Sequence, residues 1–381
     1  MLPSGWEAVR RILAVRLDNI GDVVMLAPAL RTLKRALPEA SITLMASPAG
    51  SQAAPLLPWV DGVLVHRPVW QDVSGRMPLD PARELALVEA VRAGRYDAAV
   101  VFTSFSQSPY PPAYVCYLAG IPIRLGQSKE FGGGVLSHAV TPPPDGAHQV
   151  DRNVHLLESV GFRPAGRHLE LRVPEDARQG AARLLRSAGV DPEEPYAVLA
   201  PGASCEARRY PPGRAGAVAR ALAAEAGLPV VLVGSERDAA AVEAAMAAAL
   251  GRGRGPAGGR VVSLAGLTTV PELAAIVRGA ALVIGNNSAP MHLADAFRRP
   301  LVVTYSGTDR EEQWRPRTAP AALLRRPTPC SPCYRFTCPY GLACLDIPPA
   351  EVACAALGLL AQSAGERRRA GPTPAGSGGA T

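Results

Sequence analysis

The chain has 381 residues, 48% hydrophobic and 19% charged, which is enough apolar material for two ordinary domains and excludes a mainly disordered protein. No apolar run approaches the length of a spanning helix, and aromatics at 5% are sparse for a base-stacking nucleic-acid binder. The net charge of +7 is nearly all arginine, with Lys34 and Lys129 the only lysines; its scatter argues against duplex DNA and leaves two readings, codon bias or attraction to phosphates and anionic membrane.

The start, MLPSGWEAVRRILAVRLDNIGD, lacks the unbroken apolar stretch of a signal peptide, so a cytoplasmic protein is expected. Residues 11–15 (RILAV) read as a strand. Residues 21–37 have helical spacing, with Val24, Leu26, Leu30 and Leu33 apolar and Pro38 past the end. Residues 41–46, 63–66 and 97–103 read as strands, and 81–93 as a helix. This alternation predicts a parallel sheet covered on both faces. Residues 175–194 form a helix and then a linker containing Pro and Glu. The alternation then restarts: strands at 196–200, 230–233, 260–264, 281–285 and 301–304, and helices at 213–226, 237–250, 270–278 and 290–297. Two doubly wound units are therefore expected, over residues 1–175 and 195–365, joined by a linker at 176–194. Open α/β sheets bind ligands at the carboxyl ends of their strands, so a cleft between the units is the expected site. Residues 252–259 (RGRGPAGG) read as a flexible loop and 366–381 as a disordered tail.

Four stretches carry chemistry. The first, RLDNIGD (residues 16–22), sits where a strand ends and a helix begins. Gly21 lets the backbone approach a ligand closely. Asp22 reads equally as a helix-capping carboxylate or as a general base aimed into the cleft. The second, PGAS (201–204) followed by RRYP (208–211), offers backbone amides and an arginine fork for phosphate, or is an ordinary turn with exposed arginines. The third, IGNNSAPMH (284–292), puts Ser288 at a cap position, Pro290 in the first turn and His292 on that turn, an arrangement suited to a diphosphate. The fourth is Cys330, Cys333, Cys338 and Cys344. Zinc, an iron–sulfur cluster, local disulfides and free thiols are all compatible with that spacing.

Taken together, these stretches resemble glycosyltransferase family 9, the heptosyltransferase-like enzymes, over about residues 10–360. The opening at 16–45 carries the likeness, as do IPIRLG (121–126), HQVDRN (148–153), LVGSERD (232–238), NNSAPMHLADA (286–296) and PLVVTYSGTD (300–309), with Trp314 and Pro316. The resemblance implies an α/β GT-B fold, two Rossmann-like doubly wound domains facing an interdomain cleft. It implies an inverting, metal-independent transfer of a sugar from a nucleotide diphosphate sugar, with ADP-heptose the best-known donor. The acceptor would be a cell-surface glycan or lipid-linked molecule, bound by the amino-terminal unit near Arg16 and Gly21.

By the same resemblance Asp22 is the general base. Ser204, Arg208, Glu236, Asn287, Ser288 and His292 bind the donor, Glu236 at the ribose. Arg208 stands where the family usually has lysine. Asn287 and Ala289 replace the family's usual Asp and Gly, which changes a hydrogen-bonding partner in the donor site. The cysteine cluster recurs in many members. No cofactor is expected for catalysis, though a structural zinc or iron–sulfur cluster at the cysteines is compatible, and no nucleic-acid partner is expected. Peripheral contact with the inner face of the cytoplasmic membrane would follow from a lipid-linked acceptor and the positive charge. The competing readings are a nucleotide-sugar epimerase of GT-B type and a catalytically degenerate nucleotide-sugar-binding protein.

Overall fold

The computed structural model of the chain describes residues 4–251 and 260–370. Twelve strands and twelve α-helices alternate among these residues, with short 3-10 turns between some of them. The first sheet contains β1 (Arg11–Arg16), β2 (Ser41–Ala46), β3 (Gly62–Val65), β4 (Ala98–Val101), β5 (Ile123–Gln127) and β6 (His138–Val140). The second contains β7 (Ala197–Ala200), β8 (Val230–Leu232), β9 (Val261–Ser263), β10 (Leu282–Asn286), β11 (Leu301–Thr304) and β12 (Ala321–Leu324).

The spatial orders are β3-β2-β1-β4-β5-β6 and β12-β11-β10-β7-β8-β9. Both are the same order read within their own unit, and every pairing is parallel. This is a doubly wound Rossmann order repeated once, and the fold is GT-B. The strand order reverses between β1 and β4 and again between β7 and β10, and ligands bind at such switch points.

The helices are α1 (Ile20–Val24), α2 (Ala27–Ala36), α3 (Pro81–Ala93), α4 (Tyr110–Leu118), α5 (Gln149–Glu158) and α6 (Glu175–Ser187). The carboxyl-terminal half adds α7 (Pro212–Glu225), α8 (Ala239–Leu250), α9 (Val270–Gly279), α10 (Ala289–Ala296), α11 (Glu311–Trp314) and α12 (Pro349–Ala370). One continuous core joins the inner faces of both sheets, from Trp6, Leu30 and Leu156 through Leu185 to Ile276 and Leu293. Smaller clusters cover the outer faces, under α3 and α4 in the first unit and under α7, α8 and α12 in the second. Helix α6 packs on α9, where Gly180 lies against the Glu272 side chain and leaves no room for a Cβ.

Two expectations change. The single helix at 21–37 is two helices. Pro28, in the first turn of α2, has no N–H for the Val24 carbonyl, so the first helix stops there. Asn153 of α5 then donates its side-chain amide to the Met25 carbonyl at 3.1 Å. The tail does not begin at residue 366, because α12 runs to Ala370. Residues 252–259 and 371–381 lie outside the described residues, and so does what was expected of them.

Candidate functional site

The carboxyl end of β1 delivers Arg16 into the interior with no exposed surface. An isolated buried guanidinium is costly, and here two carboxylates answer it. Its Nε lies 2.8 Å from Asp18 and its Nη2 lies 2.9 Å from Asp22. The same Nη2 donates to the Ser104 hydroxyl at 2.7 Å, just past β4. The switch point of the first sheet is thus stitched by one arginine. Asp22 also accepts the Asn19 backbone N–H at 3.1 Å. It therefore caps α1 and lines the cleft at once, so the two readings of its role are compatible. Burial raises the pKa of Asp18, opposed by Arg16, with the Asp22 charge adding to the rise. Gln107 donates its side-chain amide to the other Asp18 oxygen.

The second sheet meets this group from across the cleft. Gly21 of α1 packs against the His292 ring of α10, and a Cβ there would lie 2.5 Å from Cδ2. In this structure the close approach that Gly21 permits is that of the other unit. His292 is buried, and that burial lowers its pKa against the pull of Asp22 and Asp295, so the ring is neutral at pH 7.

Ser288 occupies the N-cap position of α10, but its hydroxyl turns back to the Asn286 carbonyl at 3.4 Å instead of capping. Asn287 donates to the Tyr305 hydroxyl at 3.2 Å. Arg208 is held at three points: Ser204 Oγ at 3.2 Å, Thr308 Oγ1 at 3.1 Å and the Asp309 carboxylate at 2.7 Å. Glu236 is exposed on the turn after β8 and joins none of these networks.

Several residues had no place in the sequence reading. Asn286, at the end of β10, donates to the Pro201 and Gly202 carbonyls, both at 3.0 Å. Its oxygen accepts the Tyr210 N–H at 3.0 Å and the Thr304 hydroxyl at 2.9 Å. One side chain thereby fastens the PGAS loop, β10 and β11. Its signal in the sequence was a polar residue ending an apolar strand. Arg152, inside the HQVDRN stretch, is 4% exposed and lies over the Phe105 ring at 5.0 Å. Burial and the neighbouring Arg16 pull its pKa down to about 10.

Contacts across the cleft complete the set. The His148 ring meets the Arg315 carbonyl at 3.0 Å, and Gln313 donates to the Asp145 carbonyl at 2.6 Å. Arg317 pairs with Asp151 at 3.0 Å, and Phe105 meets Trp314 edge-on at 6.0 Å.

Of the readings left open for the cysteines, the structure has the free thiols. All seven are free thiols. Among the described residues no group of three or more His, Cys, Asp or Glu stands close enough to hold a metal ion. Cys330 is exposed and Cys344 is buried with Leu345, while Cys338 Sγ accepts the Tyr340 and Leu342 N–H groups at 3.4 Å. Burial raises the pKa of Cys344, and Cys338, Cys330 and Cys333 add to the rise, so the four stand near one another without forming such a group. Their loop braces the segment after β11: Cys333 N donates to the Gly307 carbonyl and Tyr334 N to the Thr308 carbonyl, both at 2.9 Å. The Phe336 carbonyl accepts from Ala207, beside Arg208, at 3.0 Å.

The family model of glycosyltransferase family 9 (heptosyltransferase) matches residues 84–343. The chain belongs to this family. It is a glycosyltransferase. Lipopolysaccharide heptosyltransferase 2 of Salmonella typhimurium strain LT2 is 30% identical over 304 residues, covering 77% of this chain and 82% of that protein. Lipopolysaccharide heptosyltransferase 3 of Escherichia coli K12 is 27% identical over 304 residues, covering 78% and 83%. The solved structure of the E. coli ADP-heptose lipopolysaccharide heptosyltransferase II superposes with a TM-score of 0.71 at 24% identity, covering 93% of this chain and 99% of that one. No helix among the described residues is long and apolar enough to cross a membrane.

Proposed function

We propose that the protein is an inverting glycosyltransferase that moves a sugar, heptose in the first instance, from a nucleotide diphosphate sugar to a lipopolysaccharide-type acceptor. The observation that carries this is the meeting of Asp22 with the β10–α10 turn through Gly21 and His292. It puts a carboxylate on one wall of the cleft and a helix start on the other.

In this reading Asp22 takes the proton of the acceptor hydroxyl as that oxygen bonds to the anomeric carbon. The bond from that carbon to the diphosphate breaks on the opposite face, and the diphosphate leaves with the electron pair. Arg208, Ser204 and the first turn of α10 at Ser288 meet its charge, so the step calls on no metal ion. Arg16 and the Asn19 amide hold the Asp22 carboxylate in place. The neutral His292 packs without adding a competing cation. Asn287 supports the turn through Tyr305, and Glu236 faces the donor ribose. Acceptor binding falls to the amino-terminal unit (1–175) and donor binding to the carboxyl-terminal one (195–365). The enzyme works at the cytoplasmic side of the membrane, which it contacts peripherally.

The test pairs binding with turnover. Thermal shift against ADP, UDP, GDP and their sugars should show one preferred base, with the shift retained in Asp22→Asn. Transfer should fall by about 10²- to 10⁴-fold in that variant. Turnover equal to wild type in Asp22→Asn would sink the assignment of the base. Conversion of a nucleotide sugar with no acceptor present would point to the epimerase reading, and binding without any turnover to the degenerate one.

A further inference from the structure

Outside the cleft, the face of the first unit built from α4 and the loop after β5 is apolar and open. Tyr114 and Tyr117 are each 52% exposed, and their rings stack at 6.2 Å. Phe131 is 98% exposed and begins a Phe-Gly-Gly-Gly run. A groove of about 390 Å³ lies between helix and loop, lined by Tyr110, Pro111, Tyr114, Phe131, Gly132 and Val135. The Tyr110 ring packs on Gly132, where a side chain would collide with it. Clustered exposed aromatics of this kind mark an interaction surface.

We infer that this surface docks the protein on an anionic lipid bilayer, with Phe131 and the Tyr114–Tyr117 pair entering the boundary between headgroups and acyl chains. The inference rests on the lipid-linked acceptor proposed above. Three observations select the bilayer over a soluble saccharide. First, the lining holds few groups that could read sugar hydroxyls. Pro111, Phe131, Gly132 and Val135 offer no polar side chain, and the Tyr110 hydroxyl is spent on the Glu130 carbonyl at 2.6 Å. Second, tyrosine has an apolar body and a polar tip, the chemistry of membrane–water interfaces. Lys129, two residues before Phe131, is paired with Asp145 at 2.9 Å, so the attraction to an anionic leaflet comes from the +7 of the whole chain.

Third, the surface is continuous with the cleft. The segment from 104 to 110 begins at Ser104, which is bonded to Arg16. It passes Gln107, which is bonded to Asp18, and reaches Tyr110 through the Ser108 hydroxyl at 3.4 Å. A bilayer seated on α4 would therefore lie one short loop from the Asp22 carboxylate.

The experiment is co-sedimentation of the full chain with vesicles of phosphatidylcholine and phosphatidylglycerol. The comparison is wild type against the double variant Tyr114→Ser, Phe131→Ser. Wild type should sediment with the vesicles, and less as phosphatidylglycerol is withdrawn. The variant should partition at least about tenfold more weakly, as lost burial of two aromatic rings requires. Its melting temperature, its nucleotide-induced thermal shift and its transfer to a soluble acceptor glycan should match wild type. Wild type remaining in the supernatant, or a variant that partitions like wild type, overturns the proposal. So does a variant that keeps vesicle binding and loses transfer to the soluble glycan, which would make the groove a saccharide subsite. Failure of the glycosyltransferase reading is seen separately, as no nucleotide shift and no transfer in wild type with vesicle binding intact.

Discussion

Arg16 and Gly21 show how single residues build the cleft, Arg16 by tying β1 to the end of β4 and Gly21 by admitting His292 of the other unit. Removing the Arg16 cation while Asp18 and Asp22 stay behind leaves two buried carboxylates without their partner. Arg16→Met should therefore destabilise by about 3–5 kcal/mol, measured by urea unfolding. Gly21→Ala places a methyl group against His292. Transfer should drop sharply in that variant while ADP binding, proposed for the other unit, changes little; equal loss of both would contradict a defect confined to domain approach. Arg208→Ala should do the reverse. It should weaken nucleotide diphosphate binding by about 10- to 100-fold, as the loss of charged hydrogen bonds implies, and lower the thermal shift accordingly. Asp22, Arg208 and His292 were legible in the sequence because each sits where a strand gives way to a turn or helix. Arg16 was legible only as a cleft residue. Its bond to Ser104, 88 positions away, depends on β1 and β4 being neighbours.

At the level of elements, the proposed donor side is built by loops that fasten one another. Asn286 accepts two hydrogen bonds and donates two, tying β7's loop to β10 and β11. Asn286→Ala should cost about 2–4 kcal/mol and lower the melting temperature, because buried partners lose their bonds. Nucleotide binding should weaken with it. The cysteine-rich loop acts through its backbone, which pairs with residues 307 and 308 beside Arg208. That brace was invisible in the spacing of the cysteines, since main-chain pairing leaves no residue-type signature. The division of residues 21–37 into α1 and α2 was within reach of the sequence, because Pro28 stood inside the apolar pattern. Helices α4, α5 and α12 were missed. Pro111 and Pro112 blur the start of α4, and α12 has a weak apolar stripe and follows the irregular cysteine loop.

At the scale of the whole molecule, the cleft is closed by contacts that titrate. His148 lies between the units, and burial together with Arg317 lowers its pKa to about 4. The unfolded chain takes up that proton near pH 6.5, where the folded one refuses it. Acid therefore favours unfolding, and stability should fall as pH drops from about 6.5 towards 4. His292, lowered by its own burial, acts in the same direction. Melting temperature measured over this range should decline in wild type and decline less in His148→Asn. An unchanged slope in that variant would remove His148 from the account.

The sequence by itself determined the kind of molecule. Its alternation of apolar strands with helices specifies two doubly wound parallel sheets, and its polar motifs fall at the carboxyl ends of β1, β7, β8 and β10, because such sheets leave only those ends open to a ligand. The tertiary structure decided which of those ends face one another. It brought Gly21 to His292, closed His148 onto Arg315 and seated the cysteine-rich loop on residues 307 and 308, since these contacts join residues far apart in the chain and no local period encodes them.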